Sequence, residues 1–257
     1  MSLRGLRIAA AFLTRIPLPP LVEVQPEELS RAAGWFPLVG AAMGAAVLAV
    51  LSTTWHLGLR FGAADSLLTA ATGLVAWIWL TGALHLDGLA DMVDASAAAH
   101  RDPARFLQVL ADPHLGTFGA VAVSAVLLLK LTALARVVES VPHAVILIAA
   151  WARLGPLAWA QWLRPLKSGH GARFAQQLQP AWIAVWTIAL LLLSARLAPV
   201  LCLAPLILVL FGLWLHWRVG GQTGDCLGAG VEITESALLL ALAITGPAGA
   251  LHPTSWS

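Results

Sequence analysis

Pro199-Val-Leu-Cys-Leu-Ala-Pro-Leu-Ile-Leu-Val-Leu-Phe-Gly-Leu-Trp-Leu-His-Trp217 is a run without a single Asp, Glu, Lys or Arg. As a helix it is long enough to cross the hydrocarbon core of a bilayer, which takes roughly 17–25 apolar residues. Similar runs recur along most of the 257 residues. Spans are expected near Pro37–Leu59, Ser66–Leu84, Leu115–Ala135, His143–Leu163, Ala181–Ala195, Pro199–Trp217 and Ser236–Ala250. Composition points the same way: 59% of residues are hydrophobic and 11% charged, whereas soluble domains carry about a quarter charged residues. The fold class that follows is all-α, a polytopic integral membrane helical bundle of about seven transmembrane helices. Residues 1–257 read as one membrane-embedded domain with no separate soluble domain.

The polar remainder sets the orientation. Residues 1–33 read as an N-terminal interfacial segment, because Arg4, Arg7 and Arg15 share one face of a helix ended by Pro17, Pro19 and Pro20; a frayed terminus is the alternative. With the N-terminus in the cytoplasm, Arg4, Arg7, Arg15, Arg31, Arg101, Arg105, Arg164, Lys167, Arg173 and Arg218 fall inside. Only Arg60, Arg136 and Arg196 fall outside, a bias that fits the positive-inside rule. The loops 85–114, 164–180 and 218–235 then face the cytoplasm. A net charge of +2 and the lack of a basic run exclude nucleic acid as a partner and leave the lipid bilayer. Cys202 and Cys226 give no disulfide framework, and no cleavable signal peptide is evident at the start. Twelve tryptophans and no tyrosine make tryptophan the aromatic of any interfacial belt.

Chemistry concentrates in two places. In Leu84-His-Leu-Asp-Gly-Leu-Ala-Asp-Met-Val-Asp94, helical spacing puts Asp87, Asp91 and Asp94 on one face. Three like charges so placed repel, and a divalent cation bound through oxygen offsets the repulsion; a solvated helix end is the bland alternative. Gly88 is read as room for a ligand to approach the backbone. His85, on the other side, reads as an interface or core residue. Asp102 before Pro103 reads as a helix N-cap, and Asp112 stays open. His114 and Gly116 open the third span, where Gly116-Thr-Phe-Gly119 suits either an anion at a helix start or close helix packing.

The second place is Gly220-Gly-Gln-Thr-Gly-Asp-Cys-Leu-Gly-Ala-Gly230, followed by Val231-Glu-Ile-Thr-Glu235. It reads as a flexible loop whose amides at Gly221, Thr223 and Gly224 cradle phosphate. Asp225, Glu232 and Glu235 add three carboxylates, although a packing or re-entrant loop is also compatible. Arg101, Arg105, Arg153, Arg164, Lys167 and Arg173 are available to phosphates. Arg153 lies inside a span, where an unpaired charge costs about 3 kcal/mol, so a carboxylate or phosphate partner is expected. Together these features point to metal-assisted phosphoryl transfer.

The chain resembles the adenosylcobinamide-GDP ribazoletransferase, or cobalamin 5′-phosphate synthase, family. The resemblance rests on Phe12-Leu-Thr-Arg-Ile-Pro17, Trp35-Phe-Pro-Leu-Val-Gly40, Thr81-Gly-Ala-Leu-His-Leu-Asp-Gly-Leu-Ala-Asp91, Leu115-Gly-Thr-Phe-Gly119 and Gly220-Gly-Gln-Thr-Gly-Asp-Cys-Leu-Gly228 with Glu232 and Glu235. It implies a multi-pass enzyme of the bacterial inner membrane, with its active site facing the cytoplasm. Such an enzyme joins adenosylcobinamide-GDP to α-ribazole or α-ribazole 5′-phosphate and releases GMP in the last steps of cobalamin biosynthesis. It further implies Mg2+ held by Asp87, Asp91, Asp94, Asp225 and Glu232, with Glu235 completing or orienting the site and an aspartate, Asp94 by preference, as base. Association with the other late cobalamin-assembly enzymes and a homo-oligomeric state are left open. Ala111, His114 and Val231 depart from residues common in the family, a lysine, a basic residue and an asparagine respectively. Two competing readings are a CDP-alcohol phosphotransferase, whose pattern does not continue past Asp94, and a transporter coupled through buried carboxylates.

Overall fold

The computed structural model of the chain describes residues 2–21, 24–99, 102–167 and 179–246. Arg101 and Arg173 lie outside them. Everything regular among the described residues is helical: α1 (Leu3–Leu13), α2 (Pro26–Ala32), α3 (Phe36–Arg60), α4 (Ser66–Thr81), α5 (Leu84–Ala99), α6 (Pro103–Val109), α7 (Thr117–Ser140), α8 (Ala144–Trp162), α9 (Pro180–Leu197), α10 (Ala204–Arg218) and α11 (Gly224–Thr245). Six apolar helical stretches are long enough to cross a membrane, and α4 with α5 makes a seventh if that bent pair is one span. The chain is a polytopic helical membrane bundle.

α8 is its axis. Of the most apolar stretch of α8, 83% is buried, against 11% for α9, which lies at the periphery. α3 comes unusually close to α8. A Cβ on Gly40 would lie 2.4 Å from the Ala149 carbonyl oxygen, and one on Gly44 2.6 Å from the Ile146 Cα. Small residues that let backbones approach supply the dispersion contact that holds helices together in lipid, where no hydrophobic force acts between them. Three tryptophans donate hydrogen bonds inside this bundle, while Trp79, Trp162, Trp214 and Trp217 are exposed. Trp151 Nε1 donates to Ser194 Oγ, Trp159 Nε1 to the Leu208 carbonyl and Trp186 Nε1 to the Gly34 carbonyl.

Two boundaries differ from the sequence expectation, and both shape the site. The second span stops at Thr81, because Gly82 (φ 60°) and Ala83 (φ 59°) are left-handed. The chain turns there by 84° into α5. The last helix begins at Gly224, not at Ser236. Thr223 is its N-cap, with Oγ1 accepting from the Cys226 amide, so most of the presumed flexible loop is helix. Gly230 within it serves packing: a Cβ there would lie 2.4 Å from the Trp159 ring.

The N-terminal segment forms an amphipathic helix with Ile8, Ala9 and Leu13 buried. Its arginines do not act as one face. Arg4 pairs with Glu28 on α2, Arg7 donates to the Pro19 carbonyl, and Arg15 lies beyond the helix with its side chain laid over Gly82.

Candidate active site

α5 is laid across one end of the bundle and ties its helices together there. Its Asp94 carboxylate accepts from the Gly116 and Gly119 amides, 2.8 Å each, at the start of α7. A Cβ on Gly88 would lie 2.8 Å from the Asp225 carbonyl oxygen in the first turn of α11. Gly228 faces the His85 backbone. At the far end of α5, Arg218 at the close of α10 donates to the Ser96 carbonyl. The carboxyl end of α8 joins through a short bridge, in which Gln222 N donates to the Arg164 carbonyl and Leu166 N to the Gln222 carbonyl.

This placement redefines the glycines. Gly88 makes room for the backbone of α11, not for a ligand. Gly221 is required because a Cβ would lie 2.4 Å from the Arg164 carbonyl oxygen, and Gly220 is left-handed at φ 82°. The 220–222 stretch is therefore a bridged connector rather than an open cradle. The anion that meets the amides of Gly116 and Gly119 is the chain's own Asp94, as the attraction between a carboxylate and a helix N-terminus favours.

The aspartates do converge. The charges of Asp87, Asp225 and Asp94 all bear on Asp91, and the Lys167 ammonium acts on it with opposite sign. Asp87 and Asp225 also line one cavity, with Gly224 beside them. Among the described residues neither Asp87 nor Asp91 accepts a hydrogen bond, while Asp225 has only a long contact of 3.5 Å from Thr223 Oγ1. Hard, charged oxygens left open in this way form a donor set suited to Mg2+. No three His, Cys, Asp or Glu side chains among the described residues are drawn into a ready-made cage. Mg2+ is usually held by one or two carboxylates together with water and substrate phosphates.

Glu232 and Glu235 are not brought to that face. Glu232 stands seven residues beyond Asp225, about 10 Å along a helix. Lys130 Nζ on α7 donates to Glu232 Oε2 and Glu235 Oε2, 2.5 Å each, and Arg153 on α8 donates to Glu235 Oε1. All four side chains are buried. Arg153 thus has the carboxylate partner that its position inside a span demands. Lys130, a lysine in an apolar run, was not singled out from the sequence, although that position was itself the signal. Trp77 covers its ammonium at 5.5 Å from the ring centroid. Two cations and two carboxylates form a charge-balanced brace among α7, α8 and α11.

The remaining candidates lie at the rim. His114 is exposed, and its Nδ1 meets Asp112 Oδ1 at 2.6 Å. That contact holds the Asp112 carboxyl below the usual carboxylate range. Asp102 is the N-cap of α6, accepting from the Ala104 amide.

Comparison with known proteins supplies the remaining context. The family described as cobalamin-5-phosphate synthase matches residues 5–243. An adenosylcobinamide-GDP ribazoletransferase of Thiobacillus denitrificans is 47% identical over 240 residues, covering 93% of this chain and 94% of that protein. Proteins of the same name from Novosphingobium aromaticivorans and Pseudomonas aeruginosa (strain PAO1) are 44% and 37% identical, covering 95% of this chain and 98% and 99% of theirs. No solved structure matches. A match of this extent sets aside the phospholipid-synthase and transporter readings. The chain belongs to the cobalamin-5-phosphate synthase family.

Proposed function

We propose that this chain transfers the phosphocobinamide group of adenosylcobinamide-GDP to a ribose hydroxyl of α-ribazole or its 5′-phosphate. The products are adenosylcobalamin or its 5′-phosphate, and GMP. The observation that carries this reading is the crossing of α5 on α11, which sets Asp87 and Asp91 beside Asp225 with Lys167 nearby. The names of the full-length relatives supply the substrates.

In the reaction, the acceptor oxygen forms a bond to the cobinamide-side phosphorus. The bond from that phosphorus to the bridging oxygen breaks, and GMP leaves with the bridging oxygen. Mg2+ bound by Asp87, Asp91 and Asp225 would neutralise the diphosphate and the charge that grows on the leaving oxygen. Lys167 adds a positive charge on the same side. Asp94 spends both carboxylate oxygens on amides of α7, so it positions α5. The hydroxyl proton passes instead to Asp87 or Asp91, on a carboxylate oxygen that does not hold the ion.

The same reading places the protein in the bacterial inner membrane with its N-terminus and active site cytoplasmic. The arginine and lysine bias of the loops supports this orientation. Two residues of those positive loops, Arg218 and Lys167, act on α5, which carries the aspartates. Turnover of the purified protein in nanodiscs, with GMP and corrinoid product followed together, tests the reaction. The expected result is equimolar formation of both. GMP release without a corrinoid product would overturn it.

A further inference from the structure

Next to Asp87 and Asp225 lies a cavity of about 330 Å³, at the small end of the range for ligand sites. Its walls are mostly apolar and come from six helices: Phe12, Leu29, Phe36, Pro156, Leu227 and Val231 carry most of them. The Phe12 and Phe36 rings stack at 5.7 Å with 10° between their planes, giving the cavity a flat side. Three polar side chains line it, and two are the candidate reaction-site carboxylates Asp87 and Asp225. The third is His85, which is 4% exposed. Its Nδ1 is enclosed, while its Nε2 keeps accessible surface and has no hydrogen-bond partner among the described residues. An imidazole nitrogen facing apolar walls without a partner is costly unless something fills the space and bonds to it.

We propose that this cavity seats the benzimidazole base of the acceptor, with His85 Nε2 bonded to the base's one unsubstituted ring nitrogen. The proposal rests on the transfer reading above and deepens it by assigning a subsite. A benzimidazole joined to ribose is flat, largely apolar and has one polar atom left, which matches one accessible, unpartnered imidazole nitrogen in apolar walls. The guanine of the other substrate is a poor occupant. Its carbonyl, amino and ring N–H groups would meet phenylalanine, leucine and proline and go unsatisfied. His85 Nε2 donates in the tautomer that carries its proton there. With the base seated, the ribose emerges at the mouth beside Asp87 and Asp225, where its hydroxyl has to react.

The test compares α-ribazole with the riboside in which a CH replaces the free ring nitrogen. For the unaltered enzyme, KM for the analogue is expected to be about tenfold higher, the usual size of one buried hydrogen bond. His85→Phe keeps the volume, raises KM for α-ribazole by about tenfold and removes the preference between the two acceptors. KM for adenosylcobinamide-GDP stays within twofold. Val231→Phe, which fills the slot without touching the imidazole, raises KM for both acceptors. A preference that survives His85→Phe, or an equal rise in KM for the GDP substrate, would overturn the assignment. So would unchanged acceptor KM in Val231→Phe with loss of a co-purifying phospholipid, since the occupant would then be an acyl chain. The two readings fail separately. If the enzyme releases GMP but His85→Phe leaves α-ribazole KM unmoved, the subsite falls and transfer stands. If no GMP forms, yet α-ribazole raises the melting temperature and His85→Phe abolishes the rise, transfer falls and the subsite stands.

Discussion

A side-chain carbon on Gly88 would sit 2.8 Å from the carbonyl oxygen of Asp225. The atom it would meet is backbone, so α5 and α11 would have to separate to admit it. Gly88→Val should therefore leave the protein inserted and helical while drawing Asp87 and Asp91 away from Asp225. A displacement of about 1 Å at a reacting centre costs on the order of a hundredfold in rate. The expected result is a kcat lowered by about that factor, with a far-UV circular dichroism spectrum like the parent's. Gly224→Ala, where an added Cβ meets nothing within 4 Å, is the control and should cost little.

Asp94 links α5 to α7 by capping that helix with two amide bonds. Asp94→Ala should lower stability by about 1–2 kcal/mol, the usual worth of an N-cap, measured by unfolding in mixed micelles. Asp94→Asn retains one acceptor oxygen and should fall between. If Asp94 were instead the proton acceptor, Asp94→Asn would lose about 100-fold or more in kcat at nearly unchanged stability.

Arg153 and Glu235 are both fully buried, so removal of Glu235 leaves Arg153 charged and unpaired, while removal of Arg153 leaves Glu235 to share the single Lys130 ammonium with Glu232. Arg153→Met or Glu235→Met should each destabilise the protein by about 3–5 kcal/mol. The double variant should recover part of that loss, because no lone charge remains on that pair. A double-mutant cycle on unfolding midpoints checks the coupling. Additive losses would mean that the pair does not brace the bundle.

The legible part of this molecule was periodic. The spacing of Asp87, Asp91 and Asp94 announced a shared helical face, and Arg153 announced a missing carboxylate. Runs such as Pro199–Trp217 announced a membrane bundle. What the chain hid depended on contacts far apart in sequence. Nothing local shows that Gly88 meets Asp225 or that Asp94 caps a helix more than twenty residues on. The glycine-rich stretch was misread because glycine content suggested flexibility, while Thr223 as N-cap and Asp225 in the first turn were the signs of a helix start. In a membrane bundle, glycine inside a helix serves close packing, as Gly230 does here.

The central claim, that the aspartates at the crossing of α5 and α11 hold the metal and handle the diphosphate, is tested most directly by titrating Mg2+ into the transfer assay. The unaltered enzyme, Asp87→Asn and Asp225→Asn would be compared in nanodiscs, with GMP release as the readout. The account predicts saturable Mg2+ dependence in the unaltered enzyme and a loss of at least a thousandfold in each variant, with membrane insertion intact. Full activity and an unshifted Mg2+ dependence in either variant would contradict it for that residue.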